Sequence, residues 1–139
     1  GLHGKAHLYR AVLEGLALEQ RLIIEGIEAT TGQHISEIRA LGGGSYSRVW
    51  CQILSDVLRR PIHLVNEQES TALGAGMLAA AAGGVHVDIL SAAKNMSGVG
   101  HAYQANETKS DAYDDIFDTY KDIYPSLKQT FGKLAKLRT

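Results

Sequence analysis

The sequence predicts an α/β fold with a short, mostly parallel sheet packed by helices, and three observations support it. Long segments near both ends of the chain carry apolar residues at three- and four-residue spacing, which is typical of helices. Two short runs, 35–41 and 62–65, have the near-alternating or continuous apolar pattern of strands. Helices and strands follow one another as α-β-α-β-α, an order typical of parallel strands joined by helical crossovers.

The composition is that of an ordinary globular domain. Of the 139 residues, 45% are hydrophobic and 21% charged, and the formal net charge is −1. These values exclude disordered and fibrous classes and predict neither a nucleic-acid nor a membrane partner. No apolar run approaches the length of a membrane-spanning helix. The single cysteine, Cys51, cannot form a disulfide within the chain, so we expect a reducing, cytoplasmic setting.

The first element is a long helix from about residue 6 to residue 30. Gly32 follows its end and is predicted to cap it. Five apolar residues define one face, from which we predict a well-buried helix. They are Leu8, Val12, Leu16, Ile23 and Ile27.

The most informative feature is the glycine-rich corner Gly42-Gly43-Gly44 between the first strand and the second helix. Glycine allows a positive φ and removes the Cβ that would block a ligand, while free N–H groups at a helix start favour an electron-rich group. The corner is therefore either a nucleotide contact or only a tight turn. It is not a dinucleotide fingerprint, because Ser47 occupies the third glycine position, and it is not a Walker A loop.

Four further elements follow the second helix, whose predicted buried stripe comprises Val49, Trp50, Ile53, Leu54, Val57 and Leu58. Strand 62–65 precedes a helix rich in Ala and Gly, from residue 72 to about 82. A short helix near 89–94 and an extended piece around 96–103 lead to a last helix from Glu107, which Pro125 kinks or restarts. So few strands suggest a fragment of a larger domain.

Three blocks of the sequence resemble the C-terminal part of the FGGY carbohydrate kinases, members of the actin-like, hexokinase-like ATPase superfamily. Residues 3–15 resemble the end of the family's second signature, residues 42–57 its adenosine motif and residues 69–80 its hinge helix. The closing helix around residues 120–127 is similar to that of the xylulose kinase-like branch. The resemblance implies that residues 1–139 form the nucleotide-side segment, a partial ribonuclease H-like domain, with the N-terminal domain absent.

The resemblance also implies an activity. The intact enzyme is expected to use ATP and Mg²⁺ and to transfer the γ-phosphate to a sugar hydroxyl, with a ketose such as xylulose as the first expectation. The missing N-terminal domain supplies the catalytic Asp and most of the sugar site, so this chain is assigned no catalytic residue and is expected to be inactive alone. The alternative is a non-catalytic interaction or regulatory module, or a truncated-gene product. Uncovered apolar surface predicts some homodimerisation.

For the nucleotide, the resemblance implies four residues. Gly43, Gly44 and Ser45 are expected to lay backbone against the ribose and α-phosphate, and Arg48 to flank or stack on the adenine. The alternative for Arg48 is a solvent-facing helix residue. Likewise Tyr46 is either a cover for the nucleotide edge or a surface tyrosine.

Other polar residues are interpreted as structural. His3 and His7 lie four residues apart on a helix, but no third ligand is in view, so no metal site is predicted. Glu67 and Glu69 precede a helix, where acids favour the positive end of the helix dipole, so they are expected to cap it. Asp56 and Asp88 are interpreted as structural or solvated.

Overall fold

The computed structural model describes residues 2–66 and 69–137. The helices are α1 (Lys5–Thr31), α2 (Arg48–Leu58), α3 (Ser70–Ala82), α4 (Ile89–Met96) and α5 (Glu107–Lys136). The strands are β1 (Ile38–Ala40), β2 (Ile62–Val65) and β3 (Val99–Tyr103), and a short 3-10 helix (Gly43–Tyr46) precedes α2. None of these helices is both long and apolar enough to cross a membrane.

The sheet is small and mixed, in the order β1-β2-β3. β1 and β2 are parallel, and β2 and β3 are antiparallel. The predicted α/β class and short sheet are confirmed, but only one of the two strand pairs is parallel. The reason lies in the connection: the Asn66 N–H donates to the carbonyl of Gly98 at 3.2 Å, so β3 begins beside the end of β2 and runs back along it.

β3 contains one residue more than the stretch of β2 that it faces. His63 lies opposite Ala102 and Val65 opposite Val99, so the register shifts between these pairs. The side chain of Asn66 lies across β3 at this irregularity. A Cβ on Gly98 would stand 2.8 Å from Asn66 Nδ2, and one on Gly100 would collide with Asn66 Oδ1. Glycine at these two positions therefore makes room for Asn66.

The chain forms two compact units. The first comprises Gly1–His34, Asp56–Arg59 and Ala105–Thr139, and the second Ile35–Ser55 and Arg60–Gln104. The first unit therefore contains α1, α5 and the last residues of α2. The second contains the sheet, α3, α4 and most of α2.

Arg21 on α1 is the centre of the polar contacts in the first unit. Its guanidinium donates to the Asp114 carboxylate on α5 at 2.6 Å and to the Val57 carbonyl at 3.3 Å, and it lies 4.3 Å from the centre of the Phe117 ring. Arg59 donates to the same carboxylate at 2.5 Å. Partial burial acts to raise the pKa of Asp114, but the two guanidinium groups outweigh it and lower that pKa.

The prediction that α1 is well buried is wrong for the face that suggested it. Leu8, Val12, Leu16, Ile23 and Ile27 are 46–66% exposed, whereas Ala17 and Leu18 are buried. Periodicity identifies the apolar face of a helix but not what covers it. The predicted cap is confirmed, since Gly32 has φ 68° and its N–H donates to the carbonyl of Glu28 at 2.8 Å.

α2 is the most buried helix in the described part of the chain. Ile53, Val57 and Leu58 of the predicted stripe are buried, but Val49 is 58% exposed because the first turn of α2 continues from the exposed glycine corner. Cys51 is buried, its thiol donates to the carbonyl of Ser45 at 3.4 Å, and burial raises the pKa of the thiol.

Two of the four acidic residues have the structural roles predicted for them. Asp56 is buried and accepts the N–H of Asn106 at 2.9 Å, and Asp88 caps α4 by accepting the N–H of Ser91 at 2.7 Å. Glu69 stands at the start of α3 without a capping hydrogen bond from its side chain, so the capping prediction is wrong there. Glu67 lies outside the described residues. α5 continues through Pro125 and does not restart.

Two buried serines provide a matched test of stability. Ser55 Oγ lies 2.8 Å from the Arg60 carbonyl and 2.9 Å from the Tyr103 carbonyl, whereas Ser110 Oγ is buried without a hydrogen-bond partner in the described part of the chain. We expect Ser55→Ala to lower the free energy of unfolding by about 1–3 kcal/mol and Ser110→Ala to leave it unchanged or raise it. Urea unfolding of both variants checks this, and equal losses would contradict it.

Candidate functional site

The glycine corner begins with a backbone conformation that residues other than glycine rarely adopt. Gly42 has φ 80° and ψ −175°, a region occupied almost only by glycine. Its carbonyl accepts two hydrogen bonds from Ser45, from the N–H at 3.0 Å and from Oγ at 2.7 Å. These contacts close the turn that leads from β1 into the 3-10 helix.

The next two glycines are exposed but differ in their surroundings. A Cβ on Gly43 would meet no atom within 4 Å, whereas a Cβ on Gly44 would stand 3.4 Å from Nε1 of Trp50. Neither N–H donates to an acceptor within residues 2–66 or 69–137, as expected at the start of a helix. Gly43 therefore offers open backbone to a ligand, while Gly44 lies in contact with the indole.

The start of α2 fixes where Arg48 stands. Ser47 Oγ accepts the N–H of Trp50 at 3.3 Å and the Ser47 carbonyl accepts the N–H of Cys51 at 3.0 Å, so the helix begins at Arg48. Arg48 is exposed, and its guanidinium forms no ion pair in the part of the chain that the structure describes. The charge is thus available to a ligand beside the corner.

A groove of about 570 Å³ lies beside the corner in the second unit. That volume falls within the usual range for small-molecule sites, roughly 300–1,000 Å³. The groove is lined by Ser45, Tyr46, Arg48, Leu64, His101 and Tyr103.

The wall contributed by the sheet is mainly apolar and aromatic. Leu64 comes from β2, and His101 and Tyr103 come from β3. The two rings pack edge to face, with centroids 4.8 Å apart and planes at 89°. None of these three residues was predicted from the sequence to be part of the site. The spacing of His101 and Tyr103 in an extended segment was the only available signal, and it did not connect them with the corner.

The groove brings together only part of the predicted set. Ser45 and Arg48 line it, whereas Gly43 and Gly44 stand in the adjoining 3-10 helix. Tyr46 also lines it and is 64% exposed. Nucleotide binding by these residues stays a prediction.

The corner lies at the edge of the sheet where ligands usually bind in α/β proteins. β1 and β2 are parallel, so their carboxyl ends meet at one edge, and crevices outside that edge are the common ligand sites. Ala40, the last residue of β1, lies opposite Leu64, and Gly42 follows two residues later. The position of the corner in the sheet therefore agrees with a binding role.

His3 and His7 do not share a helix as predicted, because α1 begins at Lys5 and His3 precedes it. The His7 ring accepts the N–H of Gly4 at 3.2 Å through Nδ1 and packs edge to face with His3 at 5.5 Å. Across the described residues, no group of three or more His, Cys, Asp or Glu side chains could hold a metal ion. No metal ligand is therefore assigned.

Comparison with known proteins gives a family match. A family model described as the FGGY family of carbohydrate kinases, C-terminal domain, matches residues 2–83. The xylulose kinase of Staphylococcus epidermidis is 31% identical over 137 residues, which cover 99% of this chain and 27% of that protein. The chain thus spans about a quarter of that relative's length.

Solved structures agree with the sequence match. A xylulose kinase from Rhodospirillum rubrum superimposes with a TM-score of 0.80 at 30% identity, over 94% of this chain and 26% of that chain. A gluconate kinase from Lactobacillus acidophilus superimposes with a TM-score of 0.84 at 26% identity, over 95% of this chain and 26% of that chain. The arrangement of helices and strands is therefore that of these sugar kinases.

Neighbouring glycines of the corner should respond differently to alanine. Gly42→Ala forces a side chain into a region open almost only to glycine and should lower the free energy of unfolding by about 1–3 kcal/mol. Gly43→Ala adds a methyl group in open space and should leave it nearly unchanged. Urea unfolding of the two variants measures the difference. A larger loss for Gly43→Ala would contradict this geometry.

Proposed function

The chain belongs to the FGGY family of carbohydrate kinases, and from that membership we propose that it is the ATP-binding, C-terminal part of a kinase that phosphorylates a sugar hydroxyl. The observation that supports the nucleotide role most directly is the open glycine corner beside the groove. Because its N–H groups and Arg48 have no partner among the described residues, the corner suits a negatively charged ligand with a flat base.

We assign the parts of the site as follows. Backbone N–H groups of Gly43 and Gly44 face the phosphate and ribose side, with the hydroxyl of Ser45 beside them. Arg48 lies against the base, because a guanidinium can stack on a ring while keeping its charge toward solvent or phosphate. Gly43 provides the close approach, since nothing stands where its Cβ would be.

The chemical step needs groups that we place outside this chain. Phosphoryl transfer depends on positioning and on neutralising charge, and it requires phosphate loops, a base and a divalent ion together. The described residues contain no cluster for that ion, so we assign none of them to Mg²⁺. We therefore propose that the remaining polypeptide supplies the base and the sugar site, and that residues 1–139 alone do not phosphorylate sugar.

For the sugar, we propose a ketose such as xylulose. The support is the xylulose kinases among the similar proteins, but a gluconate kinase has the same arrangement of elements. One fold hosts different substrates because pocket residues decide among them. We place the enzyme in the cytoplasm, in line with its single buried cysteine.

The exposed apolar faces of α1 and α5 support a covering partner. Seven large apolar residues of α1 and several of α5 are at least 40% exposed, among them Ile123, Leu127 and Phe131 of α5. Large uncovered apolar patches usually mark interfaces. We propose that the N-terminal domain or a second copy of the chain covers them. The rival function, a non-catalytic interaction module, rests on the same observation.

Nucleotide binding is tested with the full polypeptide that the gene encodes. Gly43→Val should weaken ADP binding by about 10-fold, because its side chain occupies the open backbone, and Arg48→Ala by roughly 5- to 10-fold, because the cation against the base is lost. Isothermal titration calorimetry measures both. Gly132→Val and Arg39→Ala, exposed residues outside the groove, serve as matched controls. Unchanged ADP affinity in both test variants would show that the corner does not bind the nucleotide.

Sugar preference is tested by steady-state kinetics with ATP and either D-xylulose or gluconate. We expect a higher kcat/KM for xylulose than for gluconate, with one ADP formed for each sugar phosphorylated. Preference for gluconate would contradict the proposed sugar but keep the kinase. No ADP formation with either substrate, in a protein that binds ADP, would favour the non-catalytic module.

A further inference from the structure

We propose that the edge-to-face pair of His101 and Tyr103 on β3 forms a wall of the slot for the nucleobase, so that β3 sets affinity for the base. The inference rests on the proposed function and deepens it. Both residues lie beyond residues 2–83, the stretch matched to the family. They line the same groove as Ser45 and Arg48.

The chemistry of this wall suits a flat, weakly polar ring. Leu64 and the two rings present apolar surface, and an edge-to-face pair exposes a ring face on which a purine can stack. Any nucleobase can stack on an aromatic side chain, because every base has a flat π face. The exposed backbone N–H groups of the corner are better suited to phosphate than these ring faces are.

β3 has an irregularity beside His101. β3 has an extra residue opposite β2 between the pairs His63–Ala102 and Val65–Val99. Such bulges bend a strand and re-aim its side chains, and they are frequent next to ligand sites. Asn66 lies across this point, in the space left by Gly98 and Gly100. Asn66 and the two glycines therefore position the wall.

The other end of β3 is attached to α2. Ser55 Oγ lies 2.9 Å from the Tyr103 carbonyl, and Gln52 Nε2 donates to the Gln104 carbonyl at 2.9 Å. Arg48 is the first residue of the same helix. The separation between Arg48 and the aromatic pair is thus set by hydrogen bonds within the second unit, which gives the slot a defined width.

The test measures ADP and pyrophosphate binding to the full polypeptide by calorimetry. Tyr103→Leu and His101→Ala should each weaken ADP binding by about 10-fold, equal to about 1.4 kcal/mol, and leave pyrophosphate binding unchanged. The matched control is His86→Ala, a histidine of the same unit that does not line the groove.

The outcomes separate the two proposals. Unchanged ADP affinity in both variants would overturn the role of β3 while leaving the proposed function intact. If the variants weakened pyrophosphate binding as much as ADP binding, the rings would contact phosphate, and their role in binding the base would be overturned. A wild-type protein that does not bind ADP would overturn the proposed function, and this inference with it.

A double variant tests the positioning role without altering the rings. Gly100→Ala places a methyl group on Asn66 and should weaken ADP binding by about 10-fold. Adding Asn66→Gly removes the clash and should restore affinity to within about 3-fold of wild type. Failure of this rescue, in a double variant with a wild-type circular dichroism spectrum, would overturn the positioning role of Asn66.

Discussion

The attachment of β3 to α2 is the interaction on which the groove depends. Two side chains of α2, Gln52 and Ser55, reach the last carbonyls of β3 and its continuation. Ser55 is fully buried, so water does not compete for its hydrogen bonds. A buried carbonyl without a donor would lower the stability of the fold. The helix that begins at the glycine corner therefore also determines where the strand on the far side of the groove stands.

The three glycines of the corner have three different surroundings. Gly42 has a backbone conformation that a side chain would strain. Gly43 keeps the exposed backbone open, and Gly44 lies against the indole of Trp50. A run of identical residues thus combines a turn, an open surface and a packing contact. This explains why the pattern alone could not distinguish a nucleotide contact from a tight turn.

Specific polar contacts connect the helices of the first unit. The Arg21 guanidinium connects α1 with α5 through Asp114, and the Tyr113 hydroxyl donates to Glu14 at 2.8 Å. Burial is the main cause that raises the pKa of Tyr113. Such contacts define one arrangement of the helices, whereas the apolar residues of α1 are largely in solvent. In relatives about four times as long, further polypeptide is available to cover such faces.

The sequence by itself determined the class of fold, the order of its elements and the place of the glycine corner. Those features depend on local periodicity, on glycine and on capping residues such as Gly32 and Asp88, which act within a few residues. Only the tertiary structure decided the antiparallel direction of β3, the exposure of α1 and the presence of His101 and Tyr103 in the same groove as Arg48. These depend on contacts between residues far apart in the chain, and periodicity carries no information about which distant surface an apolar or aromatic side chain will meet.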